Sequence, residues 1–347
     1  MKAHPEGLFE GEGVSTSLHL PQDVGVVEHP VAGVDYPQRW AEFEAWFPDE
    51  EHCVAYLVHL RWPDGFRCPR CGGERAWPTT RGRLVCAACR HQISVTAGTI
   101  LAGTRTPLRV WFAAAWHLTQ QKLGVSALGL QRVLGWGSYQ TAWTILHKLR
   151  RAMVRLERAP LLGPVEVDET YVGGIERGRR GRLAGAKAIV AIAVEVPEPD
   201  RLGRVRLTRI ADFSAESLLP FVGWAVTPGA LVRTDGWQGY RPLAAAGYVH
   251  ERVSLRASGD AAHVAMPGVH RVASLLERWI LGTHHGSVGH DHLDAYLEEF
   301  TFRFNRRRAR YRGLLFYRLL EQMVRTSPAP YRAIVESRST PDHNMLG

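Results

Sequence analysis

Residues 164–174, PVEVDETYVGG, decide how the rest of the chain is read. Val165 and Val167 alternate with polar residues as in a strand, and Pro164 and Gly173-Gly174 bound the run. Upstream of Pro164 the apolar residues recur at helical spacing. Downstream they alternate or form short β-branched blocks. AKAIVAIAVEV (186–196) and GRVRLTRIADF (203–213) read as two further strands, with the basic run RGRRGR (177–182) in the first connection. Ser214 can cap a helix over SAESLLPFVGWAV. A strand from Ala230 to Arg233 follows, then a short helix, then GYVHERV (247–253) as a last strand. The region from His290 to Thr326 reads as helical. Leu293, Tyr296, Leu297, Phe300 and Phe304 mark one apolar face, and the Arg306–Arg312 run is basic.

The succession β-β-β-α-β-α-β-α is that of an α/β sheet of the RNase H type, a meander followed by a crossover helix. In that topology the first and fourth strands are neighbours. Asp168 lies inside the first and Asp235 ends the fourth, so two carboxylates 67 positions apart converge. Hard oxygen ligands of this kind suit Mg²⁺ or Mn²⁺. Two such ions about 4 Å apart can activate an attacking hydroxyl and stabilise a leaving oxygen. Strand interiors disfavour Asp, which singles out Asp168. Asp235, followed by Gly236, also fits an ordinary turn pair.

Working outward, four of the five cysteines stand in FRCPRCGGERAWPTTRGRLVCAACRHQ (66–92). Cys68 and Cys71, then Cys86 and Cys89 after a 14-residue gap, form two C-x2-C knuckles that present four thiolates to one tetrahedral Zn²⁺. The intervening residues suit a short hairpin, hence a zinc ribbon. Cys53 falls in a helix that Asp49 can cap and is expected to be buried, not a ligand.

Between the ribbon and Pro164, Leu108, Trp111, Phe112, Ala115 and Leu118 recur at helix spacing. Ser126 can cap a second helix that Gly135-Trp136-Gly137 breaks, and Ser138 can cap a third with Ala142, Ile145, Leu149 and Ala152 in one apolar row. Two helices across a Gly-containing turn match the helix-turn-helix pattern. Lys148, Arg150, Arg151 and Arg155, on other faces of the last helix, are the DNA-contact candidates. A plain helical hairpin with a solvated basic face fits the same pattern, and the adjacent ribbon tips the reading toward DNA.

Charge points the same way. Residues 1–52 hold 2 basic and 11 acidic side chains, and the remainder holds 41 basic and 23 acidic. Of the 43 basic residues 39 are Arg, which binds phosphate bidentately. The partner expected is double-stranded DNA. With 45% apolar and 22% charged residues the chain is not a largely disordered one. Ala186–Val196, the longest nearly apolar stretch, falls short of the ~18 residues of a membrane helix. The N-terminus lacks a signal-peptide core. The expectation is a soluble cytoplasmic protein, associated with the nucleoid when bound to DNA, with no membrane partner. Its regions are a poorly ordered acidic arm (1–35), helix plus zinc ribbon (36–104), helix-turn-helix (105–158), RNase H-like domain with C-terminal helices (164–326) and a tail (327–347).

Five motifs occur in order: RWPDGFRCPRCGG with its second knuckle, EVDETYVGG, TDGWQGY, HRVASLLERWILGTHHGSV and HLDAYLEEFTFRFNRR. From about Pro37 to Arg308 the chain resembles the bacterial insertion-sequence transposases of the zinc-ribbon DDE type, the ISXO-like group. The resemblance implies an RNase H-like catalytic domain and metal-dependent DNA cleavage and strand transfer at terminal inverted repeats. It also implies a homo-oligomer on DNA, and Asp168 and Asp235 as the first two catalytic acids. At the third position, where relatives carry a Glu, His270 stands 35 residues after Asp235, and Glu277 occupies the place of a following Lys. Either the site accepts His, with Mn²⁺ favoured by the softer nitrogen, or Glu277 compensates, or the copy is inactive. A catalytically inactive, domesticated DNA-binding regulator is the alternative function, and a nuclease that cuts without joining is a third. His284, His285, His290 and His292 form a cluster with two readings, a second metal site or, favoured, a loop and helix start packed near the active site.

Overall fold

The computed structural model describes residues 29–79, 83–154, 158–173, 187–198, 201–253, 265–284 and 292–335. Two cores are built on one chain. The first is helical: α1 (Trp40–Trp46), α2 (Glu50–Arg61), α3 (Leu108–Gln120), α4 (Ala127–Leu134) and α5 (Tyr139–Ala152). The caps expected in this core form, whereas Ser214, expected to cap a later helix, makes no side-chain cap bond and its hydroxyl donates to Asp212 Oδ1 at 2.6 Å instead. Asp49 accepts the His52 N–H at 3.0 Å, Ser126 that of Gly129 at 3.0 Å and Ser138 that of Thr141 at 3.3 Å. Gly135 ends α4 in the left-handed conformation. Phe43, Phe47, Phe112 and Trp116 interlock at this core, with ring centroids 4.8–5.2 Å apart in successive pairs.

The C-terminal helix α9 (Gly313–Met323) joins this helical core instead of the sheet. Phe316 meets Phe43, Phe47, Phe112 and Trp116 edge-on or tilted. The short α10 (Tyr331–Val335) follows it, burying Ile334. The expected region boundaries at 164–326 and 327–347 are therefore corrected: residues 313–335 close the N-terminal body. Residues 29–35 also depart from a loose arm. Asp35 accepts the Val31 N–H, and the Tyr56 hydroxyl donates to the Asp35 carbonyl at 2.6 Å. Residues 1–28, Arg155, His285, His290 and the run 177–182 lie outside the described residues, and the His284 side chain is likewise not described.

The second core is a five-stranded mixed sheet made of β4 (Val165–Val172), β5 (Ala188–Glu195), β6 (Val205–Ile210), β7 (Leu231–Thr234) and β8 (Val249–Arg252). Their order is β6-β5-β4-β7-β8, with β4, β5 and β6 an antiparallel meander and β7 parallel to both β4 and β8. The crossover helix α6 (Ala215–Ala225) covers one face, and α7 (Pro267–His284) and α8 (Leu293–Asn305) cover the other. Period-two alternation divides β5: Val190, Ile192 and Val194 face α7 and α8, while Ala191 and Ala193 face α6. A 3₁₀ helix (Gln238–Leu243) replaces the short helix expected after β7. No helix among the described residues is long and apolar enough to cross a membrane.

One buried charge cluster joins the two cores. Glu299 of α8, 0% exposed, accepts from Arg150 Nε of α5 at 2.7 Å and from Arg303 Nε at 2.8 Å. Arg303 also donates to the carbonyls of Leu118 and Gln121 at the end of α3. The Arg150 guanidinium lies 4.2 Å over the Tyr296 ring. Arg150 is thus corrected as a DNA-contact candidate: at 2% exposure its charge is consumed inside the protein. Burial pushes the Glu299 carboxyl up, but Arg303 and Arg150 outweigh it and hold the group below its ordinary value.

Replacing Glu299 with Gln strands two buried cations, so urea denaturation should show a loss of about 3–5 kcal/mol. Arg151→Ala, on the exposed side of α5, should change stability by less than about 0.5 kcal/mol. Because the native Glu299 pKa is depressed, its contribution is complete above about 4.5 and is lost as pH falls through the native value. The Gln variant should lack this acid dependence.

Candidate active site and zinc centre

The ribbon is a three-stranded antiparallel sheet of β1 (Ala76–Pro78), β2 (Arg83–Cys86) and β3 (Gln92–Ser94), one strand more than the expected hairpin. Its two knuckles are built alike. Gly72 N–H donates to the Cys68 carbonyl and Cys68 N–H to Gly73; Arg90 N–H donates to Cys86 and Cys86 N–H to His91. Arg90, at φ 60°, takes the left-handed place that Gly72 holds at φ 72°. Its guanidinium lies 5.0 Å over the Trp77 ring.

Cys68 and Cys89 Sγ are 3.6 Å apart, as are Cys71 and Cys86. All four sulfurs lie within 4.8 Å of one another. A zinc tetrahedron with ~2.3 Å arms has sulfur–sulfur edges of about 3.8 Å, and a disulfide needs about 2.05 Å. The quartet therefore has the geometry of a zinc centre. Among the described residues it is the one group of three or more metal-ligating side chains so assembled. Cys53 is fully buried in α2, and burial raises its thiol to about 12, so it stays an inert core residue.

Of the DNA-contact candidates, Arg151 is exposed, Lys148 is half-buried with its ammonium 5.9 Å over the Trp111 ring, and Arg150 is internal. The C-terminal half of α5 packs toward α8 apart from exposed Arg151, and the first turn is the other accessible part of the helix. Tyr139 there is 53% exposed and Gln140 is exposed beside it. Sequence reading missed this turn because it scored charge and not which end of the helix is covered. His292, at the start of α8, meets Trp143 and His147 of α5 edge-on.

The carboxylate site sits across β4 and β7. Val165 pairs with Val232 and Glu166 with Arg233. Continued two residues, that parallel register sets Asp168 level with Asp235, just past the end of β7. Val165 and Val167 point to the α6 side, so Glu166, Asp168 and Thr170 point to α7. The contacts agree. Glu166 Oε2 accepts the Val269 N–H at 2.8 Å, His270 Nε2 lies 3.8 Å from Asp168 Oδ2, and Thr170 Oγ1 donates to Glu277 Oε1 at 3.4 Å. Helix α7 thus runs along β4, with His270 at the level of Asp168 and Glu277 farther along beside Thr170. Asp235 Oδ1 accepts the Trp237 N–H at 2.9 Å, which fixes the turn that carries it.

Two supporting groups escaped the sequence reading, although three acidic residues within four positions of one strand, Glu166, Asp168 and Glu169, were their signal. Glu166 is buried and takes the first free N–H groups of α7. Burial raises its carboxyl, against the pull of the Val269 and Gly268 N–H groups. A Cβ at Gly268 would stand 2.8 Å from Glu166 Oε2, so only glycine lets the helix start approach. Glu169 accepts from the fully buried Tyr240 hydroxyl at 2.6 Å. Burial, then Glu169, Asp168 and Asp235, push the Tyr240 phenol well above its ordinary value. It remains a neutral donor to Glu169.

Comparison with known proteins adds two matches. Residues 160–305 match the family described as ISXO2-like transposase domain, and residues 48–92 match the transposase zinc-ribbon domain. A protein of Halobacterium salinarum named "Uncharacterized protein in transposable element ISH50" is similar too. It is 29% identical over 290 residues, covering 74% of this chain and 91% of the relative.

One zinc per chain is expected by metal analysis, lost in Cys86→Ala and retained in Cys53→Ala. Unchanged zinc in Cys86→Ala would refute the centre. Chelation should open residues 66–94 to protease before the sheet is attacked, since metal binding and folding are coupled in so small a module.

Proposed function

The chain belongs to the zinc-ribbon transposases with an ISXO2-like domain, and we propose that it binds the terminal inverted repeats of an insertion sequence and performs metal-dependent DNA strand cleavage and strand transfer. The observation that carries this reading is the register that sets Asp168 level with Asp235 on adjacent parallel strands, with His270 beside Asp168. The arrangement agrees with an RNase H-like catalytic sheet.

Asp168, Asp235 and His270 are the residues that would hold Mg²⁺ or Mn²⁺. The donor set fits such an ion: two hard carboxylates and one imidazole, with His270 Nε2 3.8 Å from Asp168 Oδ2. Bound there, the metal polarises the scissile phosphate and makes water or a DNA 3′-OH a better nucleophile. The protein's part is to hold these groups still. Glu166 anchors the start of α7 and with it His270. The Tyr240–Glu169 hydrogen bond ties the 3₁₀ helix after Asp235 back to β4. Glu277, bonded by Thr170, serves the site's rim and not the scissile phosphate.

The ribbon and the α4–α5 pair form the DNA-recognition side. Helix-turn-helix readers contact base edges with the first turn of the second helix. Tyr139 and Gln140 hold that place here, and Arg151 is a backbone contact. Gln140→Ala should weaken binding to the cognate end about tenfold and relax its sequence preference. Arg151→Ala should weaken all duplexes alike and lower the salt slope by about one. Equal affinity of both variants and wild type for cognate DNA would turn this helix away from DNA.

Asp168→Asn and Asp235→Asn should each bind ends but lose cleavage by at least about 10³-fold. Wild type should cut better with Mn²⁺ than with Mg²⁺, and His270→Glu should retain or improve Mg²⁺ activity. Glu277→Ala should slow cleavage only moderately. A dead Glu277→Ala beside an active His270→Ala would move the third ligand to Glu277. End-binding without cleavage in either metal would make the protein a DNA-binding regulator.

A further inference from the structure

The outer face of α7 bears a feature that the metal site does not use. Pro267, His270, Arg271, Ser274, Leu275 and Arg278 line a cavity of about 480 Å³. At about 100° per residue, His270 and Glu277 share the edge of α7 that faces β4. Ser274 lies about 40° round from His270, and Arg278 and Arg271 about 80–100° round. The buried residues Val269, Val272, Leu276, Trp279 and Ile280 occupy the opposite side.

Arg271 and Arg278 are exposed and make no hydrogen bond or ion pair with any described residue. Most arginines nearby are committed: Arg150 and Arg303 to Glu299, Arg204 to Glu195, Arg307 to the carbonyls of Gly203 and Leu202. The sole carboxylate of α7, Glu277, is bonded on the β4 side by Thr170. Two unneutralised guanidinium groups thus overlook a trough that opens at His270. Seven residues of helix separate them by about 10 Å, the axial rise of roughly three nucleotides of one strand.

We propose that Arg271, Ser274 and Arg278 form a phosphate-binding rail that holds the backbone of the DNA strand being cut next to His270. The proposal rests on the transposase reading above. Each guanidinium can clasp a phosphate through paired N–H donors, and the Ser274 hydroxyl can donate between them. Leu275 and Pro267 offer apolar surface to the sugars. Residence on the helix that carries His270 makes the rail an aligning device: strand position and third ligand move together. Most end-binding affinity then comes from the ribbon and the helical body, and the rail acts chiefly on cleavage.

The test uses the full chain with Arg271→Gln/Arg278→Gln and with the charge-retaining Arg271→Lys/Arg278→Lys. The probes are a random-sequence 20-base-pair duplex in a salt series and a duplex taken from the DNA flanking the reading frame, assayed for cleavage with Mn²⁺. For the Gln pair, the slope of log K against log salt should fall by about two, at ~0.9 per phosphate. With enzyme saturating, cleavage should drop at least about 50-fold, while end affinity at about 0.5 M salt, where counterion release counts least, drops less than about fivefold, and the Lys pair should recover most of the rate. Methylphosphonate at the phosphates beside the mapped cut should slow wild type but not further slow the Gln pair. An unchanged salt slope in the Gln pair overturns the rail, and so does wild-type cleavage by that pair. A wild type that cuts nothing refutes the transposase reading, and the salt slope then still decides the rail.

Discussion

The contact between Glu299 and its two arginines holds the molecule in one piece. Three buried charges bring α5, the end of α3 and α8 to a single point. Removing so much charge from water is costly, and apolar side chains could bind the same helices as tightly. What the triad adds is direction. A carboxylate between two guanidinium groups accepts one arrangement of its partners, and the α3–α4 turn is moulded to it. A Cβ at Gly124 would stand 2.7 Å from Glu299 Oε1. The body that bears the ribbon and the sheet that bears the aspartates are therefore held in a fixed relation.

Strand β4 is the second organising element. Its odd-numbered valines fill the α6 side, and its even-numbered polar residues meet α7 one after another: Glu166 at the helix start, Asp168 at His270, Thr170 at Glu277. A strand interior so rich in acid is tolerable because each carboxylate has a fixed donor. Stability and function are drawn from the same alternation.

Much of this was legible beforehand, for physical reasons. Period-two runs and their breakers announced the five strands and the crossover, and chirality left few ways to connect them. The C-x2-C pairs carried their geometry in their spacing. Asp168 stood out because strands disfavour it. The rest depends on partners far away in the chain. Nothing near Arg150 in sequence reveals that Glu299 neutralises it, so it looked like its exposed neighbour Arg151. The amphipathic pattern of residues 313–323 said helix but not which core it would join. Glu166 and Glu169 read as strand polarity until the N–H groups of α7 and the Tyr240 hydroxyl appeared opposite them.

The return of α9 to the first core has a consequence for synthesis. Phe316 completes the aromatic mesh that Phe43 and Phe47 begin, yet a ribosome emits it 273 residues after Phe43. At roughly 5–20 residues per second, the helical body waits about 15–55 s for its last wall. The ribbon and the sheet can form in the meantime, each from contiguous chain. A nascent or prematurely ended polypeptide thus holds its metal knuckles without a finished platform beneath α4 and α5, and competence arrives only with the final helices.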